Sequence, residues 1–191
     1  MSLDPATNPE SGSSSLAQPE KRTAPAPALD EAAEARSGEI EQFVSFKLGA
    51  EEYAVTIMAI REIKGWSETT RLPNTPEYLR GVLNLRGIIV PVFDLRCRFG
   101  MGITDTTSSH VIIIVSVNER TVGLLVDAVS DILSVDKDEI KAAPETGSAI
   151  DDAFLRGLVA RGERMVALID VDILFNNQVL TAVDSEMSGG R

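Results

Sequence analysis

Between residues 41 and 180, 30 of 140 positions are Val or Ile, and they arrive in short runs separated by glycine-bearing turns. Side chains branched at Cβ are stiff at χ1 and pack well on a pleated surface, so this stretch reads as mostly strand. Phe43-Val44-Ser45-Phe46-Lys47-Leu48 alternates towards its end, Gly49-Ala50-Glu51 turns, and Tyr53-Ala54-Val55 resumes, a hairpin signal. A second hairpin is clearer: Val82-Leu83-Asn84-Leu85 and Ile88-Ile89-Val90 flank Arg86-Gly87, where glycine supplies the positive φ of a tight reversal. A third joins Val111 to Val117 with Thr121 to Val126 through Asn118-Glu119-Arg120, and five consecutive apolar residues in its first strand predict cover on both faces.

Other segments are read less sharply. Ile57, Ile60 and Ile63, spaced by three, fit one helical turn or a strand interrupted by a short helix. Pro91 cannot donate to a ladder, which places its strand at an edge or at an irregular end. Asp94 reads as the N-cap of a helix from Leu95 to Phe99 closed by Gly100, and Asp170 or Asp172 as the cap of a C-terminal helix, VDILFN. Residues 153–159 and 164–169 form another hairpin pattern, and Ala128 to Leu133 carries mixed apolar spacing. The body is therefore expected to be mainly β, a sandwich or small barrels, with a short C-terminal helix. At about five or six residues per strand it holds enough chain for two barrels of about five strands each.

The ends differ from this body. Residues 1–40 hold five of the nine prolines and no aromatic residue, too little apolar surface to offset the entropy of ordering, so a disordered tail is expected. Leu29 to Arg36 (LDEAAEAR) has the composition of two helical turns, but so short an isolated helix is marginal and coil is expected. Residues 181–191 read as a second, flexible tail. The formal charge of -11 divides accordingly: seven acids against three bases give -4 in the first tail, the second holds -1, and -6 remains on residues 41–180.

That negative balance repels a polyphosphate backbone, and no basic stripe compensates, so no nucleic-acid partner is expected. The start, MSLDPATNPE, lacks the basic and apolar regions of a secretory signal. The longest aliphatic run, Val111 to Val115, falls far below the roughly 20 residues of a membrane span, so no direct membrane insertion is expected. One Cys and one His form neither an internal disulfide nor the usual zinc site, which points to a reducing, cytoplasmic setting.

Enzyme chemistry finds little support. His110 is the only imidazole, at the polar end of SSH, where a solvent-facing place at a strand entry is expected. Cys97, between Arg96 and Arg98, reads as a small helix filler. The carboxylate groups Asp151-Asp152, Asp136 with Asp138-Glu139, and Asp170 with Asp172 fall in polar loops or at a helix start. Gly100-Met101-Gly102 lacks the third glycine of a dinucleotide loop, and no Gly-Lys-Ser/Thr occurs, so no cofactor is expected. What remains is charge on a scaffold: Glu62 within an aliphatic stretch, and Arg80 and Arg86 bracketing Gly81 to Leu85. A carboxylate beside apolar surface wants a guanidinium, though unrelated surface charges fit the spacing equally well.

Taken together, Asn84-Leu85-Arg86-Gly87 and the following Ile88-Ile89-Val90-Pro91-Val92-Phe93-Asp94-Leu95-Arg96 resemble the signature of CheW-like domains. Glu62-Ile63, Leu72-Pro73-Asn74-Thr75-Pro76, Arg80-Gly81-Val82, Val122 to Asp127 and Val129 to Leu133 extend the resemblance to about residues 41–180. It implies two SH3-like five-stranded β-barrel subdomains enclosing a groove. It also implies a non-enzymatic adaptor that couples the cytoplasmic tip of methyl-accepting chemotaxis receptors to the regulatory domain of a CheA-type histidine kinase. Such an adaptor would be cytoplasmic and associated with the inner-membrane receptor array through its partners. The same domain occurs within the kinase and fused to receiver domains, but the 40 residues before it and the eleven after it are too short for either, so a stand-alone adaptor is expected.

The same resemblance carries over candidate receptor- or kinase-binding residues: Glu62, Arg80 and Arg86 as charges shaping the surface, Gly81, Val111, Val122, Gly123 and Ile132 as contact positions, and Ile57, Ile60 and Ile63 as an adjoining apolar segment. Close packing competes with contact as the role of Gly123. Two alternatives stay open: a small hydrolase using His110 or an acidic pair, and an adaptor serving a chemosensory pathway that does not control flagella. The long N-terminal tail departs from the family pattern, as does Arg80, where Lys is common.

Overall fold

The computed structural model describes residues 39–143 and 154–175, so residues 1–38 and 181–191 of the predicted tails, the LDEAAEAR segment and Asp151-Asp152 lie outside the described residues, while Ile40, assigned to the first tail, already belongs to a strand. Ten strands form two five-stranded sheets. The strands are β1 (Ile40–Leu48), β2 (Glu51–Thr56), β3 (Ile60–Gly65), β4 (Leu79–Leu85), β5 (Ile88–Asp94), β6 (Val111–Val117), β7 (Arg120–Val126), β8 (Ala128–Asp136), β9 (Leu155–Arg161) and β10 (Arg164–Ile169). Among the described residues there are also two one-turn helices, α1 (Leu95–Arg98) and α2 (Val171–Leu174), and 3-10 turns at Ile57–Ala59 and Lys137–Glu139.

The two lobes are not consecutive halves of the chain. One sheet runs β8-β1-β2-β10-β9 and the other β3-β6-β7-β5-β4, so the chain starts the first lobe, builds the whole second lobe, and returns to finish the first. Each lobe contains one parallel pair, β2 with β10 and β5 with β7, among antiparallel neighbours. This bears out the mainly β, SH3-like description.

Three apolar cores follow from strands with two covered faces. Phe43, Ala54, Val135, Val159, Val166 and Leu168 fill the first lobe. Leu83, Val90, Val92, Ile112, Ile114 and Leu125 fill the second. A third cluster lies between them and draws Phe46, Tyr53 and Val55 from one sheet and Phe93, Ile113, Val115 and Leu124 from the other. The uninterrupted run Val111 to Val115 is thereby explained: Ile112 and Ile114 enter the second lobe while Ile113 and Val115 enter the core between lobes. The two sheets are thus joined by a shared apolar cluster.

Turn chemistry fixes the hairpins. Arg86 and Gly87 have φ of 54° and 89°, and Asn118 and Glu119 have 47° and 68°, the two positive values a two-residue primed turn needs. Asn84 Oδ1 accepts from Gly87 N at 2.7 Å, which offsets part of the cost of holding Arg86 left-handed. The Ile57 ambiguity resolves as a 3-10 turn leading into β3. Pro91 lies in an interior strand, correcting a simple edge placement, but β5 meets β7 only from Val92 onward, so Pro91 precedes that pairing. At the C-terminus Asp170, not Asp172, caps α2, accepting from Asp172 N and Ile173 N.

Candidate partner-binding surface

Strands β3 and β4 are the two edges of the second sheet, and charge joins them. Glu62, on β3, and Arg86, in the β4–β5 turn, pair at 3.2 Å between Oε2 and Nη2. The Glu62 side chain is 32% exposed and that of Arg86 82%, so most of this guanidinium remains available. Ile63, beside Glu62, and Ile88 and Ile89, beside the Arg86 turn, are exposed as well. The ion pair thus joins β3 to the β4–β5 turn, and Ile63 on β3 and Ile88 and Ile89 on β5 are exposed on the strands that flank it. Backbone bonds between Thr70 and Val82, both 2.8 Å, cover part of the β4 edge.

Arg80 does not join this pair. Its Nη1 lies 3.9 Å from Asp94 Oδ2 instead. Asp94 is wholly buried and fully used: it accepts from Cys97 N at 3.2 Å, from Thr104 N at 2.8 Å and from Thr104 Oγ1 at 2.7 Å. A buried carboxylate needs such partners, so Arg80 helps hold the β5–α1 corner as well as lining a cleft of about 250 Å3 with Arg71, Leu72 and Ile103.

The other predicted positions divide by burial. Ile57, Ile60 and Val111 are half-buried, and Ile60 and Val111 pack on the core between lobes. Ile132 is exposed, but it belongs to β8 in the first lobe and lies on a different sheet from Glu62 and Arg86. Val122, Gly81 and Gly123 are buried and present no side chain to a partner. A Cβ on Gly81 would stand 2.3 Å from Thr70 O at a φ of +132°, and one on Gly123 would stand 2.9 Å from Ile112 Cγ2. Gly81 is required by the close approach of backbone, while Gly123 packs tightly against side chains.

Met58, Ile88, Ile89 and Met165 were not singled out from the sequence, yet all are exposed. Met58 sits on the 3-10 turn before β3 and is 88% exposed. The paired isoleucines after the Arg86 turn carried a signal, because a strand buries only alternate residues unless both faces are covered.

The groups considered for catalysis have structural work. His110 is half-buried rather than solvent-facing: Nδ1 accepts from Thr107 N at 3.0 Å, and Nε2 lies 3.7 Å from Asp127 Oδ1. The Cys97 thiol is pushed up, first by burial and then by Asp94 and Glu77, with Arg80 opposing. Asp136 and Asp170 accept backbone N–H bonds at turn and helix starts. Among the described residues no cluster of three or more His, Cys, Asp or Glu could hold a metal, and no helix is long and apolar enough to cross a membrane.

Comparison with known proteins agrees with this geometry. The family described as the CheW-like domain matches residues 42–179. A probable chemotaxis protein CheW from Rhizobium etli is 45% identical over 135 residues, 71% of this chain and 87% of that protein. Chemotaxis protein CheW from Klebsiella aerogenes is 40% identical over 145 residues, 76% of this chain and 87% of its own length. The crystal structure of the scaffolding protein TtCheW from Thermoanaerobacter tengcongensis superposes with a TM-score of 0.67 at 34% identity, covering 73% of this chain and 90% of that one.

Proposed function

The chain belongs to the CheW-like family, and from that premise we propose that it is a non-enzymatic adaptor coupling methyl-accepting chemoreceptors to a CheA-type histidine kinase. The observation that carries the surface assignment is the Glu62–Arg86 pair, with Ile63, Ile88 and Ile89 exposed on the strands that flank it. Apolar anchors beside a mostly solvent-facing guanidinium suit a protein partner that brings its own apolar stripe and a carboxylate. Ile132, on the other lobe, supplies a second and separate contact, so receptor and kinase can be held at once. The adaptor acts in the cytoplasm and reaches the receptor array through these partners. Signalling then requires no covalent step here, only a different fit to the receptor's two states that biases the kinase.

Charge reversal tests the surface. Glu62→Arg or Arg86→Glu alone should weaken capture of receptor tip or kinase regulatory domain, and the double reversal should restore part of the loss. If both single variants retain wild-type capture of both partners, the charged rim is not the binding surface.

A further inference from the structure

Where the chain crosses back from the second lobe to the first, between β7 and β8, one carboxylate meets both. Asp127 N donates to Lys47 O at 3.1 Å, at the end of β1. Its Oδ2 accepts from Gly49 N, in the β1–β2 turn of the first lobe, at 2.6 Å. The same oxygen lies 3.4 Å from Arg96 Nη1 on α1, which follows β5 of the second lobe. Its Oδ1 has no hydrogen bond and faces His110 Nε2, at the entry to β6, at 3.7 Å. The bond from Thr107 N to Nδ1 leaves the proton of a neutral His110 on Nε2, pointing toward that oxygen.

The apolar core between the lobes resists their separation, but apolar contact is non-directional and tolerates rotation or sliding. The bonds to Asp127 are directional, and they are made to both lobes by one short side chain whose own backbone is pinned. We propose that Asp127 is a positioning residue that fixes the angular register of the two lobes, and that coupling requires this register. The second half rests on the adaptor reading above, in which the lobes carry different partner contacts. A rotated pair of lobes would still bind each partner singly and would present them to each other wrongly.

The test uses the full chain, isotopically labelled, with Asp127→Ala and Asp127→Asn. The Asn variant keeps an oxygen for Gly49 N–H and loses the negative charge facing Arg96 and His110. Residual dipolar couplings of the wild type should fit one alignment tensor for both lobes, whereas Asp127→Ala should need two. The Gly49 amide should exchange about fivefold faster in the Ala variant, the loss expected for one hydrogen bond, and less so in the Asn variant. Kinase activation in receptor-containing assemblies should fall about tenfold for Asp127→Ala, with partial rescue by Asn, while affinity for the kinase regulatory domain alone stays within about twofold. If Asp127→Ala does not fold, the Asn variant tests the part carried by the charge facing Arg96 and His110, with a smaller but resolved difference between the two tensors expected. A single wild-type tensor in the folded variants overturns the register claim, and altered tensors with wild-type coupling overturn its functional half. A wild-type chain that fails to activate the kinase would instead overturn the adaptor reading, leaving the tensor result independent.

Discussion

Arg86 Nη2 stands 3.2 Å from Glu62 Oε2 and so ties the β4–β5 turn to β3, the opposite edge of the same sheet. A pair whose arginine side chain is 82% exposed is screened by water and contributes under about 1 kcal/mol to folding. Arg86→Ala should therefore shift the urea midpoint little, yet reduce partner capture clearly. A large fall in stability matching the fall in binding would make the pair a structural clasp instead.

Gly81 and Gly123 should behave in the opposite way. Gly81→Ala drives a Cβ to 2.3 Å from Thr70 O at a positive φ and should cost about 3 kcal/mol. Gly123→Ala presses on Ile112 Cγ2 and Val92 Cγ2, side-chain atoms that can yield, and should cost about 1 to 2 kcal/mol. Denaturant unfolding checks both, and any lost coupling should scale with lost stability. Wild-type stability with abolished binding would return these glycines to the contact surface.

The acid limb of stability should depend on Glu41. Arg156 donates to its two oxygens at 2.5 and 2.6 Å, and this bond, aided by Lys137, holds the carboxyl below its ordinary range despite some desolvation. A folded-state pKa below the unfolded one means the stabilisation is complete above the unfolded value and lost as pH falls through the folded one. Glu41→Gln should flatten stability against pH below about pH 5, leaving the neutral-pH slope unchanged. An unaltered acid limb would contradict this.

Cys97 should be a sluggish thiol. Burial and the charges of Asp94 and Glu77 raise its pKa, so at neutral pH it should alkylate more slowly than a free cysteine thiol, and accelerate on unfolding. Rapid alkylation of the folded chain would show that the flanking arginines dominate.

Much of this fold was legible because its hairpins carry local chemistry. Asn84-Leu85-Arg86-Gly87 announces both its turn and the bond from Gly87 N to Asn84 Oδ1. The run Val111 to Val115 announces two covered faces. The discontinuous first lobe was not legible, since pairing β1 with β8 and β2 with β10 spans most of the domain and leaves no local mark. The site followed the same division. Glu62 and Arg86 meet, one of the two arrangements the spacing left open, whereas Arg80 turns to Asp94, a residue whose capping role alone was visible in sequence. Val122 and Gly123 matched contact positions by resemblance, while both are buried because β7 is covered on its two faces, Val122 by the core between lobes and Gly123 by Ile112 and Val92. Asp127 drew notice only as part of a motif, because its partners lie on three other elements.

The most direct test of the adaptor account is autophosphorylation of a CheA-type kinase mixed with receptor-containing membranes, with and without this chain. The account predicts strong activation only when all three components are present, with Arg86→Glu reducing it and Glu62→Arg, Arg86→Glu together restoring part of it. Unchanged kinase activity on adding the chain, with no co-sedimentation of kinase and receptor, would contradict it.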